Sequence, residues 1–211
     1  MPQSKASFVT FSEPKYLGVS APISLNQPTE LDLELTKSLE DHLKEFGFFE
    51  SEEESFQREI VLGKLDALVR DFVMDVGMKQ NMTREEAKLT GGKIFTFGSY
   101  RLGVHSSGAD IDTLCVVPRH VERSDFFGSF FERLQQISSI KELTQVPDAY
   151  VPVIKLVYDG IAIDLLFARL NLQSIPEDLN LLDHNLLRNL DEKCILSLNG
   201  LILLNYRFQG Y

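Results

Sequence analysis

The sequence predicts an α/β (α+β) domain: helices first, then a mixed β-sheet with flanking helices. Three observations carry this. Apolar residues recur at helical spacing up to about residue 76. From Lys93 onward the chain breaks into short β-branched and aromatic runs bounded by turns. Between two such runs, Ser124 to Gln136 reads as a helix with Ser124 as its N-cap.

Met1 to Thr29 contains Pro2, Pro14, Pro22 and Pro28 and no sustained period, so it reads as an extended arm. Leu31, Leu35, Leu39 and Leu43 then form one stripe of a first helix that ends near Gly47. Ser51 and Glu54 have the spacing of a capping box, and the acidic run Glu50 to Glu54 suits the positive end of a helix dipole. The helix that follows carries Val61, Leu65, Leu68, Phe72 and Val76 and is expected to stop by Gly77. A second box, Thr83 to Glu86, opens a short helix that Gly91 and Gly92 close.

Strands are predicted at Lys93–Phe97, Thr113–Val117, Val151–Val157 and Ile161–Phe167, with a further one at Ile140–Val146. Asp159-Gly160 between the last two of the four is a strong hairpin signal.

Composition narrows the function. With 44% hydrophobic and 25% charged residues the chain has an ordinary globular make-up. No apolar run reaches the roughly 18 residues of a membrane helix, so no membrane partner is expected. The N-terminus lacks the apolar core of a secretory signal. Cys115 and Cys194 read as reduced buried thiols. No Walker loop and no zinc-type Cys/His spacing is present. The net charge of −10 is unusual for a nucleic-acid binder, which leaves any RNA contact weak or dependent on a surface outside this chain.

Asp110-Ile111-Asp112 leads into an apolar run. On a strand, alternate side chains share a face, so the two carboxylates point together while Ile111 enters the core. Such a pair suits an oxygen-loving divalent cation such as Mg²⁺. Asp164 interrupts the otherwise apolar Ile161–Phe167, where a lone buried carboxylate requires backbone donors, a partner such as Arg169, or a metal ion. If the strands are neighbours, three carboxylates can hold two ions about 4 Å apart. Phe97-Gly98-Ser99 then reads as a phosphate turn: glycine permits close backbone approach, and the following amides and Ser99 hydroxyl donate.

These residues resemble the signature of the polymerase-β-like nucleotidyltransferases. The strings Gly91 to His105, Gly108 to Asp112 and Val116 to Phe127 resemble eukaryotic nuclear poly(A) polymerase more closely, as do Tyr16 to Ser24, Val151 to Lys155 and Ser197 to Gly200. The resemblance implies a nucleotidyltransferase fold and transfer of AMP from ATP to an RNA 3′ end, in the nucleus, alongside mRNA 3′-processing factors. It implies that Asp110, Asp112 and Asp164 bind two Mg²⁺ or Mn²⁺ ions. Phe97, Gly98, Ser99 and Ser106 fall on nucleotide contacts, and Tyr150 and Lys155 on RNA contacts. For Tyr150 and Lys155 that role fits stacking plus a phosphate contact. His105 lies within the similar string, and the sequence assigns it no role.

The expected organisation is an arm and first helix over 1–50, a catalytic domain over 51–200, and a tail over 201–211 that departs from the family. With the family's later domains not in this sequence, the Leu31–Leu43 and Val61–Val76 stripes are expected to expose apolar surface. A catalytically inactive form acting as a binding or regulatory module is the alternative reading.

Overall fold

The computed structural model describes residues 23–208, without the side chains of His184 and of 201–208. The sequence-based readings for 1–22 and 209–211 lie outside that range. The chain divides between Asp41 and His42 into two units.

The first unit holds most of helix α1 (Glu30–Glu45), which starts as expected and ends before Gly47, whose φ is +67°. Leu31, Leu35 and Leu39 on its stripe are exposed.

In the second unit, α2 (Glu52–Lys79) begins at the predicted capping box. The Glu54 amide donates to Ser51 Oγ (3.2 Å), and the Ser51 amide donates to Glu54 Oε2 (2.8 Å). The helix does not stop at Gly77. It runs two residues further, to Lys79, with Gln80 as its C-cap, and the chain turns at Asn81 with φ +67°. Gly77 serves packing instead, since a Cβ there would sit 3.2 Å from the Ala87 Cβ. Helix α3 (Arg84–Thr90) opens on the Thr83–Glu86 box and ends at Gly91, φ +64°.

The sheet has five strands in the order β1-β2-β5-β4-β3: β1 (Lys93–Thr96), β2 (Ile111–Val117), β3 (Ile140–Val146), β4 (Val153–Tyr158) and β5 (Ile161–Arg169). Only β2 and β5 are parallel, so the sheet is mixed as predicted. Both central strands are covered on both faces, which is why they read as near-continuous apolar runs. One face packs Cys115, Val117, Ile163, Leu165 and Phe167 against Val61, Leu65, Val69, Phe72 and Val76 of α2. The Val61–Val76 stripe is therefore covered by the sheet and is not an exposed surface. The expectation failed because it assigned that stripe a partner outside this chain. The other face packs Leu114, Val116 and Ala168 with Ile175, Leu181 and Leu198.

The crossover helix differs from prediction in two ways. Its cap is Glu122, not Ser124: the Glu122 amide donates to Asp125 Oδ2 (2.9 Å). It also widens to a π-helical turn (Phe126–Phe130) between α5 (Arg123–Asp125) and α6 (Phe131–Gln135). That turn buries Phe126 and Phe130 together, the first against Phe167 and the second against Phe72. Helix α7 (Glu192–Phe208) follows, so the chain stays helical past Gly200. Among the described residues no helix is long and apolar enough to cross a membrane.

Candidate active site

The Asp159-Gly160 turn has two positive φ angles, +46° and +85°, as a two-residue hairpin requires. It aligns Tyr158 with Ile161, and the same register puts Lys155 opposite Asp164. On its other side β5 runs parallel to β2, and there Asp164 pairs with Asp112. The crossover from β2 to β5 thus sets two carboxylates from distant sequence positions side by side. Both share the sheet face of Leu114, Val116 and Ala168 by strand alternation.

Asp110 lies just before β2 rather than within it, and is exposed. Ile111 is fully buried, as expected. Burial raises the Asp112 carboxyl pKa above the usual range; the negative charges of Asp110 and Asp164 add to it, and Lys155 opposes. Lys155 forms an ion pair with Asp164. Its ammonium pKa is raised by that hydrogen bond, with further help from Asp110 and Asp112. The predicted alternative partner, Arg169, instead pairs with Glu122.

The turn before α4 (Gly98–Leu102) abuts these carboxylates. The Phe97 amide donates to the Asp112 carbonyl (3.0 Å), extending the β1–β2 ladder by one residue. Gly98 then adopts φ +65°, and a Cβ built on it would lie 2.1 Å from Asp112 Oδ2. The sequence suggested that Gly98 admits a ligand to the backbone. The structure shows that it first admits the Asp112 carboxylate. Both a left-handed φ and the absence of a side chain are needed there. Phe97 packs at the edge of the second core cluster beside Gly200, and Ser99 follows in the first turn of α4.

The structure thus gathers Gly98, Asp110, Asp112, Lys155 and Asp164. Ser106 lies on the connection from α4 to β2, its carbonyl accepting from the Ala109 amide (3.1 Å). Tyr150 is 78% exposed on the β3–β4 turn. Sequence reasoning missed the Lys155–Asp164 pair. The hairpin signal could have revealed it, since Lys155 lies four positions before Asp159 and Asp164 four positions after Gly160.

Among the described residues no three acidic, histidine or cysteine side chains close into a metal cage. The donor set nevertheless fits a hard divalent cation. It is all carboxylate oxygen, its negative charges act on one another, and the positive group that faces them among the described residues is a flexible lysine ammonium.

A mixed sheet with carboxylates at adjoining positions of two parallel strands, beside a glycine-serine turn, defines a nucleotidyltransferase-type domain. Comparison with known proteins makes this specific. The family described as "Poly(A) polymerase nucleotidyltransferase domain" matches residues 18–202, and the chain belongs to that family. A poly(A) polymerase of Dictyostelium discoideum is 51% identical over 89% of this chain and 23% of its own length. Poly(A) polymerase PAPalpha of Candida albicans is 52% identical over 88% of this chain and 33% of its own. The chain thus spans about a quarter to a third of the curated relatives it matches. A solved cytoplasmic RNA terminal U-transferase aligns over 83% of this chain and 40% of its own, at 18% identity and TM-score 0.49.

Proposed function

We propose that this domain transfers AMP from ATP to the 3′-hydroxyl of RNA, as a polynucleotide adenylyltransferase. The observation that carries the reading is the set of like charges held together by the β2–β5 register, with Gly98 closed onto Asp112. The names of the relatives support the substrate.

In this reading Asp110, Asp112 and Asp164 hold two divalent ions, Mg²⁺ or Mn²⁺. When bound, such ions neutralise the triphosphate and favour the ionised 3′-oxygen. The chain's own residues bind and orient. Gly98 and Ser99 offer amides and a hydroxyl to the triphosphate, flanked by Phe97, and Ser106 makes a further nucleotide contact. Lys155 balances Asp164 while no cation is present and turns to RNA phosphate when one is. Tyr150 offers an exposed ring on which a base can stack. The 3′-hydroxyl gives up its proton to solvent, its oxygen bonds the α-phosphorus, the bond from that phosphorus to the bridging oxygen breaks, and pyrophosphate leaves. Alignment and charge stabilisation supply most of the rate.

Residues 51–200 form the catalytic domain in this reading, with 1–50 an arm and first helix and 201–211 outside it. The family resemblance supports a nuclear role beside mRNA 3′-processing factors.

The test incubates the chain with Mn²⁺, labelled ATP and an oligoadenylate primer. The wild type is expected to extend the primer, and Asp112→Ala and Asp164→Ala to lose about a thousandfold or more. Extension retained within about tenfold by either variant would refute the assigned roles. Equal use of UTP would redirect the reading to another nucleotide.

A further inference from the structure

The connection Gly103–Asp110, which carries Ser106 and ends on Asp110, is tethered at three points to the start of α2 and the residues just before it. The Ser107 amide donates to the Phe48 carbonyl (2.8 Å). The Ser107 hydroxyl donates to Glu54 Oε1 (2.9 Å). The third point is buried: His105 Nε2 donates to Glu50 Oε1 (2.7 Å), and Glu50 Oε2 pairs with Arg58 Nε (2.8 Å). The three side chains of this node are only 11%, 15% and 3% exposed, in the order His105, Glu50, Arg58. Tyr100 of α4 joins them, its ring 5.1 Å from the His105 ring and 6.0 Å from the Arg58 guanidinium carbon.

None of these residues is among those assigned to metal, nucleotide or RNA. Yet the node touches both segments that deliver such residues: α4, which begins at the Gly98 turn, and the connection to Asp110. Asp110 needs such support because it lies outside β2 and has no ladder to fix it. The Glu50 carboxylate accepts from the imidazole and lies in ion-pair contact with the guanidinium, although Glu50 Oε2 and Arg58 Nε and Nη1 complete no hydrogen bond; separating buried opposite charges is costly. The node therefore holds the connection in one conformation. The acidic start of α2 thus does more than cap a helix.

We propose that Glu50, through Arg58 and His105, is a positioning residue that sets the Gly103–Asp110 connection for metal binding before nucleotide arrives. The inference rests on the reading of Asp110 as a metal ligand.

The experiment measures Mn²⁺ binding to the free 211-residue chain by the paramagnetic signal of unbound Mn²⁺, with amide hydrogen exchange of residues 104–110 alongside. Removing such a supporting contact typically weakens metal binding about 10- to 100-fold. His105→Ala is expected to weaken Mn²⁺ binding at the low end of that range and to speed exchange in 104–110. His105→Gln, which keeps a side-chain N–H, is expected to restore both substantially. Ser107→Ala removes only the partly exposed tether, leaves the buried node intact, and is expected to shift both readouts about twofold in the same direction. It keeps the test open if His105→Ala does not fold. Lys64→Ala breaks a remote pair with Asp159 and is expected to move neither.

Wild-type exchange and Mn²⁺ affinity in folded His105→Ala would overturn the inference, provided Asp110→Ala loses binding. If His105→Ala does not fold, wild-type values in Ser107→Ala would overturn it. Wild-type Mn²⁺ binding in Asp110→Ala would instead overturn the site reading on which the inference stands.

Discussion

Parallel strands β2 and β5 carry charged residues near both ends, and the two ends balance charge differently. At the far end Arg169 pairs with Glu122, and Arg123 pairs with Asp191 (3.0 Å) while its guanidinium carbon lies 5.2 Å from the Phe167 ring centre. Both of these cations have an anion. At the near end Asp112 and Asp164 adjoin, Asp110 joins them, and Lys155 faces all three. The same strands thus end in neutralised pairs on one side and surplus negative charge on the other. Neutralised pairs suit a structural role. Surplus charge held by strand register costs stability and persists where a ligand cation completes the site.

The sharpest way to break the comparison is Gly98→Ala. The added Cβ would meet Asp112 Oδ2 at 2.1 Å in a backbone already at φ +65°. Turn or carboxylate must move, and misplacement on that scale costs about a hundredfold in rate. Binding of Mn²⁺-ATP, followed by calorimetry, is expected to fall with it. Wild-type affinity would mean that the Gly98 turn has no part in the site.

Arg123→Ala probes the balanced end. It removes an ion pair and a contact with an aromatic face, a loss of about 1–2 kcal/mol, or about 3–6 °C in melting temperature. Burial, chiefly, pushes the neighbouring Cys194 thiol up to about 11, so that thiol stays neutral as the pair is lost. Nucleotide affinity is expected to stay at the wild-type value. Its loss would show that the two ends are not independent.

Asp112→Asn gives the smallest shift in stability and the most informative sign. The folded-state pKa of Asp112 lies above its unfolded value, so ionisation works against the fold. The stability the group contributes is full below the unfolded value of about 4 and is lost as pH rises through the raised folded value. Without metal, Asp112→Asn is therefore expected to melt about 1–2 °C above wild type at neutral pH. The gap should close in acid. Mn²⁺ should stabilise the wild type and not the variant. A metal-free Asp112→Asn melting below wild type at neutral pH would refute the picture of stored like charge.

Local signals predicted local structure well. Both capping boxes form as the Ser51/Glu54 and Thr83/Glu86 spacing indicates, because each motif satisfies amides within one turn. The Asp159-Gly160 hairpin forms because few residue pairs accept two positive φ angles. The expectations that failed depended on partners distant in sequence. Gly77 looked like a stop, but Ala87 packs against it and the helix continues. Ser124 looked like a cap, but the crossover helix starts earlier and widens to stack Phe126 and Phe130. His105 had no legible role, because its partner Glu50 lies on the other side of α2 in sequence.

The sequence by itself determined the chemistry available: three carboxylates, a glycine-serine turn, and a family likeness strong enough to define the domain. Only the tertiary structure decided how these meet. The crossover between β2 and β5 sets Asp112 beside Asp164, and the hairpin register sets Lys155 on Asp164. The physical reason is that pattern and propensity act within a turn or a strand. Proximity of charges from separate strands is fixed by the packing that selects one topology and one register.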